Sequence, residues 1–100
     1  MSKNVWITGA SSGIGKALAI KFAKDGWQVA ASARRENLVK DLNNLNPNIF
    51  PFPLDVKNVS EAKNIFQNII EKFKTIDALF LFKLFSKFLI ISVTATRFKT

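Results

Sequence analysis

Three glycines, Gly9, Gly13 and Gly15, stand between a short apolar run and a helical repeat, and this arrangement limits the possible folds more than any other stretch of the chain. Upstream, Val5-Trp6-Ile7 runs into Thr8-Gly9 and reads as a buried strand of a parallel sheet. Downstream, Ile14, Leu18 and Phe22 recur at i, i+4 and i+8, with Ala17, Ala19 and Ala23 beside them. That pattern predicts a helix with small residues on its packing face. Asp25-Gly26 supplies the glycine stop signal.

The alternation continues. Trp27 to Ala33 is a second apolar run, broken by Arg34-Arg35-Glu36-Asn37. Leu38, Val39, Leu42 and Leu45 predict a short helix ending near Asn46-Pro47, and Ile49 to Leu54 a third strand. Pro51 and Pro53 flank Phe52 in that strand, and proline cannot donate to a ladder, so the strand belongs at a sheet edge. Asn58 or Ser60 can cap the next helix, whose apolar positions are Ala62, Ile65, Phe66, Ile69, Ile70 and Phe73. Thr75-Ile76-Asp77 is expected to turn, and Ala78 to Phe82 to form a fourth strand. The order β-α-β-α-β-α-β predicts an α/β fold, an incomplete Rossmann-type doubly wound parallel sheet with strand order 3-2-1-4.

With 100 residues the chain is at most one small domain. It has no cysteine, which excludes disulfides and thiolate metal sites, and no histidine, which excludes a Ser-His-Asp triad. The formal net charge of +8 comes mostly from scattered lysines and reads as a solvated surface with some attraction for anionic ligands. No nucleic-acid partner is expected. Lys3 is followed by only a few apolar residues before the glycine loop, too short for a secretory apolar region, so a cytoplasmic location is expected.

A pyrophosphate needs backbone N–H groups, a helix N-terminus and a close approach. Gly9 suits the sharp turn off the strand, Gly13 removes a side chain where a ligand must come close, and Gly15 lets the helix pack tightly. Ser11 and Ser12 add hydroxyl donors. The spacing is G-x-x-x-G-x-G, and the segment Thr8-Gly9-Ala10-Ser11-Ser12-Gly13-Ile14-Gly15 resembles the T-G-x-x-x-G-I-G signature of the short-chain dehydrogenase/reductase family. The likeness runs from about Lys3 to Asp77. It implies a cofactor site for NAD or NADP that includes Thr8, Gly9, Ser11, Ser12, Gly13, Ile14 and Gly15. In that family an NAD-preferring member carries an acidic residue at the end of the second strand; the matching residue is Ala33, followed by Arg34 and Arg35. Arginine pairs with a 2′-phosphate through charge-assisted bonds, so NADP(H) is expected over NAD(H). Asp55-Val56 resembles the family's acidic dipeptide beside the adenine.

The resemblance then lapses. The family continues after the fourth strand with Asn-Ala-Gly, whereas Phe82-Lys83-Leu84 stands here. Family chemistry rests on a Tyr-x-x-x-Lys pair, and this sequence has no tyrosine. Two segments are therefore expected: an NADP(H)-binding Rossmann segment at 1–77 and an apolar basic tail at 78–100. The tail has no Gly or Pro to mark its turns. It fits a slipped reading frame, an interfacial helix with Lys83 and Lys87 one turn apart, or a core strand with a disordered end. Under the first reading, another frame downstream of codon 77 encodes Asn-Ala-Gly and Tyr-x-x-x-Lys. By resemblance the function is NAD(P)(H)-dependent oxidoreduction of an alcohol or carbonyl, in a truncated or frame-shifted form that binds NADP(H) weakly and has no catalytic residues. The alternative is a non-catalytic NADP(H)-binding or regulatory module with a protein or membrane-surface partner. The expected partner is a dinucleotide. A membrane partner is disfavoured, and a family-type dimer is not expected because the family's interface helices come later in its sequence. The outer edge of the fourth strand is expected to be bare.

Overall fold

The computed structural model describes residues 3–11, 13–55, 58–85, 88–94 and 98–99. In chain order the elements are β1 (Asn4–Thr8), α1 (Gly13–Lys24), β2 (Gln28–Ser32), α2 (Glu36–Leu45), β3 (Ile49–Pro51), α3 (Val59–Phe73), β4 (Thr75–Ile76), β5 (Ala78–Phe85), β6 (Phe88–Thr94) and β7 (Phe98–Lys99). Five strands form the main sheet in the order β3-β2-β1-β5-β6. β1 pairs in parallel with β2 on one side and β5 on the other, and β2 pairs in parallel with β3. This is the expected doubly wound α/β arrangement, with β5 as the fourth parallel strand.

Side chains alternate across the sheet and divide the core in two. Val5, Ile7, Val29 and Ala31 face α1 and α2, meeting Ala19, Ala23, Val39 and Leu42. Trp6 and Ala30 face α3, meeting Ile69, Ile70 and Phe73. Two helices on one face and one on the other follow from right-handed crossovers that run outward from β1 to β3 and then return past β1 to β5.

Small residues make the packing face of α1, as expected, although Ala17 is exposed. Gly15, Ala19 and Ala23 are its buried residues, while Leu18 and Phe22 pack at the margin and Ile14 is 51% exposed. Small residues draw the helix close to the sheet, and the larger ones then fit only at its flanks. α1 ends at Gly26, whose φ of 91° lets Trp27 donate its N–H to the Phe22 carbonyl. Asn58 caps α3 by accepting from the Glu61 N–H at 3.1 Å. β3 is the edge strand that its prolines require.

Three expectations are corrected downstream of α3. Thr75-Ile76 is not a turn but β4, paired antiparallel with β7, and Ile76 is buried. The tail is neither an interfacial helix nor a disordered end across its described residues, because β5 runs to Phe85 and β6 returns beside it, antiparallel from Phe85↔Phe88 to Leu79↔Thr94. The outer edge of β5 is therefore covered, not bare. The β-branched and aromatic residues that recur through 80–94 suit paired strands. Ser86 and Lys87, between the two strands in sequence, lie outside the described residues.

Asn4 ties the amino end of the sheet together. Its backbone N–H donates to Asp77 Oδ2 at 2.8 Å, and its carbonyl accepts from the Asp77 N–H at 2.8 Å. Its side-chain Nδ2 donates to the Phe73 and Thr75 carbonyls and to Thr75 Oγ1. The residue is 2% exposed, so losing these bonds strands buried carbonyls. Asn4→Ala is expected to lower stability by about 2 kcal/mol, measured as a reduced midpoint in urea unfolding.

Candidate functional site

The carboxyl ends of β1, β2 and β3 meet the N-terminus of α1 at one edge of the sheet. In a doubly wound sheet this is where ligands bind. Thr8 closes β1, is buried, and donates through Oγ1 to the Phe80 carbonyl at 3.4 Å. Gly9 then turns the chain with φ of 68°. The Ala10 N–H donates to the Ser32 carbonyl at 3.1 Å, which pins the loop to the end of β2. Ser11 is half-buried, and Ser12 lies outside the described residues.

Gly13 and Gly15 serve different purposes. Gly13 opens α1 at φ +59°, and a methyl group placed on its Cα would meet nothing within 4 Å, so its requirement is conformational and the space over it is open. At Gly15 a Cβ would lie 2.1 Å from the Gly9 carbonyl oxygen, so the first turn of α1 rests directly on the loop backbone. Both features suit a pyrophosphate cradle, with an open approach above the loop and a helix N-terminus held against it.

Beyond β2, Ala33 is buried, and Arg34 and Arg35 are exposed. These two arginines, Ser11 and Leu38 line a cleft of about 310 Å³. The structure thus brings the expected loop hydroxyl and both arginines to one concavity. Arg35 is also the N-cap residue of α2 and makes no side-chain capping bond. Periodicity places Leu38 in the helix core, yet it is 38% exposed and forms the apolar wall of the cleft. Val39 and Leu42 take the buried face, and that one-residue difference in helical phase is the signal that separates them.

Asp55 follows β3 at the same edge, is half-buried, and its carbonyl accepts from the Asn58 N–H at 2.9 Å. The Leu54 N–H donates to the Ala33 carbonyl, so the stretch leading to Asp55 stays attached to the end of β2. Val56 lies outside the described residues. Ile14 stands exposed at the start of α1 beside the loop. Among the described residues no cluster of acidic side chains could hold a metal ion, and no helix is long and apolar enough to cross a membrane.

The family model for short chain dehydrogenases matches residues 3–81. The chain is 41% identical over 78 residues to the 3-oxoacyl-[acyl-carrier-protein] reductase FabG of Buchnera aphidicola, a match covering 77% of this chain and 32% of that protein. Among solved structures, a short-chain dehydrogenase from Streptomyces avermitilis superposes with a TM-score of 0.76 at 29% identity, covering 79% of this chain and 29% of the other. The 3-ketoacyl-(acyl-carrier-protein) reductase of Brucella melitensis, solved with NADH, superposes with a TM-score of 0.73 at 26% identity, covering 77% and 32%. The chain spans about a third of the length of the curated relatives it matches.

Gly15→Ala forces a methyl group into the Gly9 carbonyl. It is expected to destabilise the chain by about 3 kcal/mol, read as a lowered urea midpoint. Gly13→Ala meets no such obstacle and is expected to cost about 1 kcal/mol through its positive φ. Equal losses for the two would contradict the assigned roles.

Proposed function

This chain belongs to the short-chain dehydrogenase family, and from that premise we propose that residues 1–77 hold NADP(H) in preference to NAD(H). The observation that carries this reading is the cleft shared by Ser11, Arg34 and Arg35 at the end of β2. Ala33 offers no carboxylate to the ribose hydroxyls, and the residues that follow it are cationic. A 2′-phosphate there meets two guanidinium groups, an uncapped helix N-terminus and a hydroxyl. The open space over Gly13 admits the pyrophosphate to the N-terminus of α1. Asp55, with Val56 next in sequence, lies at the adenine side of this arrangement.

When bound, the reduced dinucleotide would give hydride to a carbonyl carbon, and the oxidised form would take hydride from an alcohol carbon. The chain's own residues bind and orient the adenosine and phosphate half. The sequence has no tyrosine, so the Tyr-x-x-x-Lys pair implied by the family resemblance is missing from these 100 residues. In this reading these residues bind the nucleotide and do not themselves supply the proton-transferring pair.

Titration with NADPH and NADH, followed by tryptophan fluorescence, tests the preference. NADPH is expected to bind more tightly, and Arg34→Ala to weaken NADPH about tenfold while leaving NADH nearly unchanged, as loss of one charge-assisted pair implies. An unchanged ratio between the two nucleotides overturns the assignment. Raising the ionic strength is expected to weaken NADPH more steeply than NADH, because the additional phosphate is held by exposed cations. NADPH consumption with simple ketones or 3-oxoacyl thioesters is expected to stay at background.

A further inference from the structure

Three buried polar residues appear among the described residues: Asn4, Thr8 and Ser32. Asn4 closes the amino end of the sheet. Thr8 and Ser32 are paired in register at its carboxyl end, directly before the glycine loop and the arginines. The Ser32 hydroxyl is fully buried and accepts from the indole N–H of Trp6 at 2.9 Å. Trp6 is paired in register with Ala30, so its ring reaches along the sheet to the next residue of β2 on the same face.

Ser32 makes two connections at once. Its side chain is held from below by Trp6, and its carbonyl holds the Ala10 N–H of the loop above. Ala33 and Arg34 follow it immediately. An alanine at position 32 would remove the need to satisfy a buried hydroxyl, and a leucine or valine at position 6 would fill an apolar core without an N–H to place. A matched donor and acceptor here fix the end of β2 in a way that apolar packing, which has no direction, does not. Trp6 is itself braced by the ring of Phe66 on α3, 6.2 Å between centroids, so the contact extends from α3 to the loop.

We infer that Trp6 is a positioning residue for the nucleotide site, acting through Ser32 to hold the loop at Ala10 and the approach to Arg34. This rests on the NADP(H) reading given above. A purely structural role for Trp6 would lower stability throughout the sheet. A positioning role acts selectively on the carboxyl end.

The test compares Trp6→Phe, Ser32→Ala and the double variant with Phe66→Leu, which removes packing on the same ring but leaves the Trp6–Ser32 bond. Hydrogen exchange of the Ala10 amide is measured in the nucleotide-free chain against the Gln28 amide, which donates to the Lys3 carbonyl at the opposite end of the same strand pair. Loss of one buried hydrogen bond is expected to speed Ala10 exchange about fivefold relative to Gln28 in each single variant. The NADPH dissociation constant should rise by a similar factor. The double variant should be no worse than either single one, since both remove the same bond. Phe66→Leu should speed both amides alike.

Equal acceleration of Ala10 and Gln28 in Trp6→Phe and Ser32→Ala overturns the inference, as does additivity in the double variant or an NADPH affinity that the variants leave unchanged. Should Trp6→Phe fail to fold, Ser32→Ala carries the same comparison alone. A wild-type chain that binds neither nucleotide overturns the functional reading itself and with it the site role of Trp6. Wild-type binding combined with unselective exchange overturns only the inference.

Discussion

The first turn of α1 rests on the carbonyl of Gly9, with no room for even a methyl group between them. This one contact sets the distance between helix and sheet, and much else follows from it. Because the helix starts so close, its buried face can hold only Gly15, Ala19 and Ala23, and the bulkier Leu18 and Phe22 pack along its sides. Phe22 then meets Trp27 edge-on at 4.8 Å and Phe80 at 5.4 Å, joining α1 to the segment before β2 and to β5. The N–H groups of the helix start are brought beside the loop by the same approach, which is the geometry an anion requires. Tight packing and a helix N-terminus held against the loop are two results of a single missing side chain.

Charged side chains pair along the exposed faces of the helices. The ion pairs among the described residues, Lys21–Asp25 and Lys40–Glu36, are exposed and four residues apart on their helices, and such pairs contribute little. Arg34 and Arg35 lie on a different part of the surface, at the mouth of the cleft. Together they add positive potential beside the N-terminus of α2.

Much of the fold is legible in the sequence because backbone demands and side-chain pattern agree in the first 77 residues. Glycine spacing locates the loop, Pro51 and Pro53 place β3 at an edge, and Asn58 marks the start of α3. The meeting of Ser11 with Arg34 and Arg35 in one cleft is also within reach, since loop and strand end share the same edge of a doubly wound sheet. Leu38 is not, because its neighbours share the same hydrophobicity and only the phase of α2 separates wall from core. The Trp6–Ser32 bond is invisible in sequence: a tryptophan in an apolar run reads as core, and nothing in the spacing says where its N–H points. The hairpin of β5 and β6 escapes for a plainer reason. The stretch 78–100 contains no glycine, proline, asparagine or aspartate to announce a reversal.

The two ends of the main sheet are unlike. On one side β3 is three residues long and contains Pro51, with Pro53 just beyond, so its outer face lacks donors that a further strand would need. On the other, β6 is a seven-residue strand from Phe88 to Thr94 with no proline, glycine or charged residue. The sheet is thus chemically asymmetric: proline removes donors along one border and nothing in the sequence removes them along the other. Among the described residues, then, the backbone of β6 carries an N–H at every position, whereas the β3 side loses two to proline.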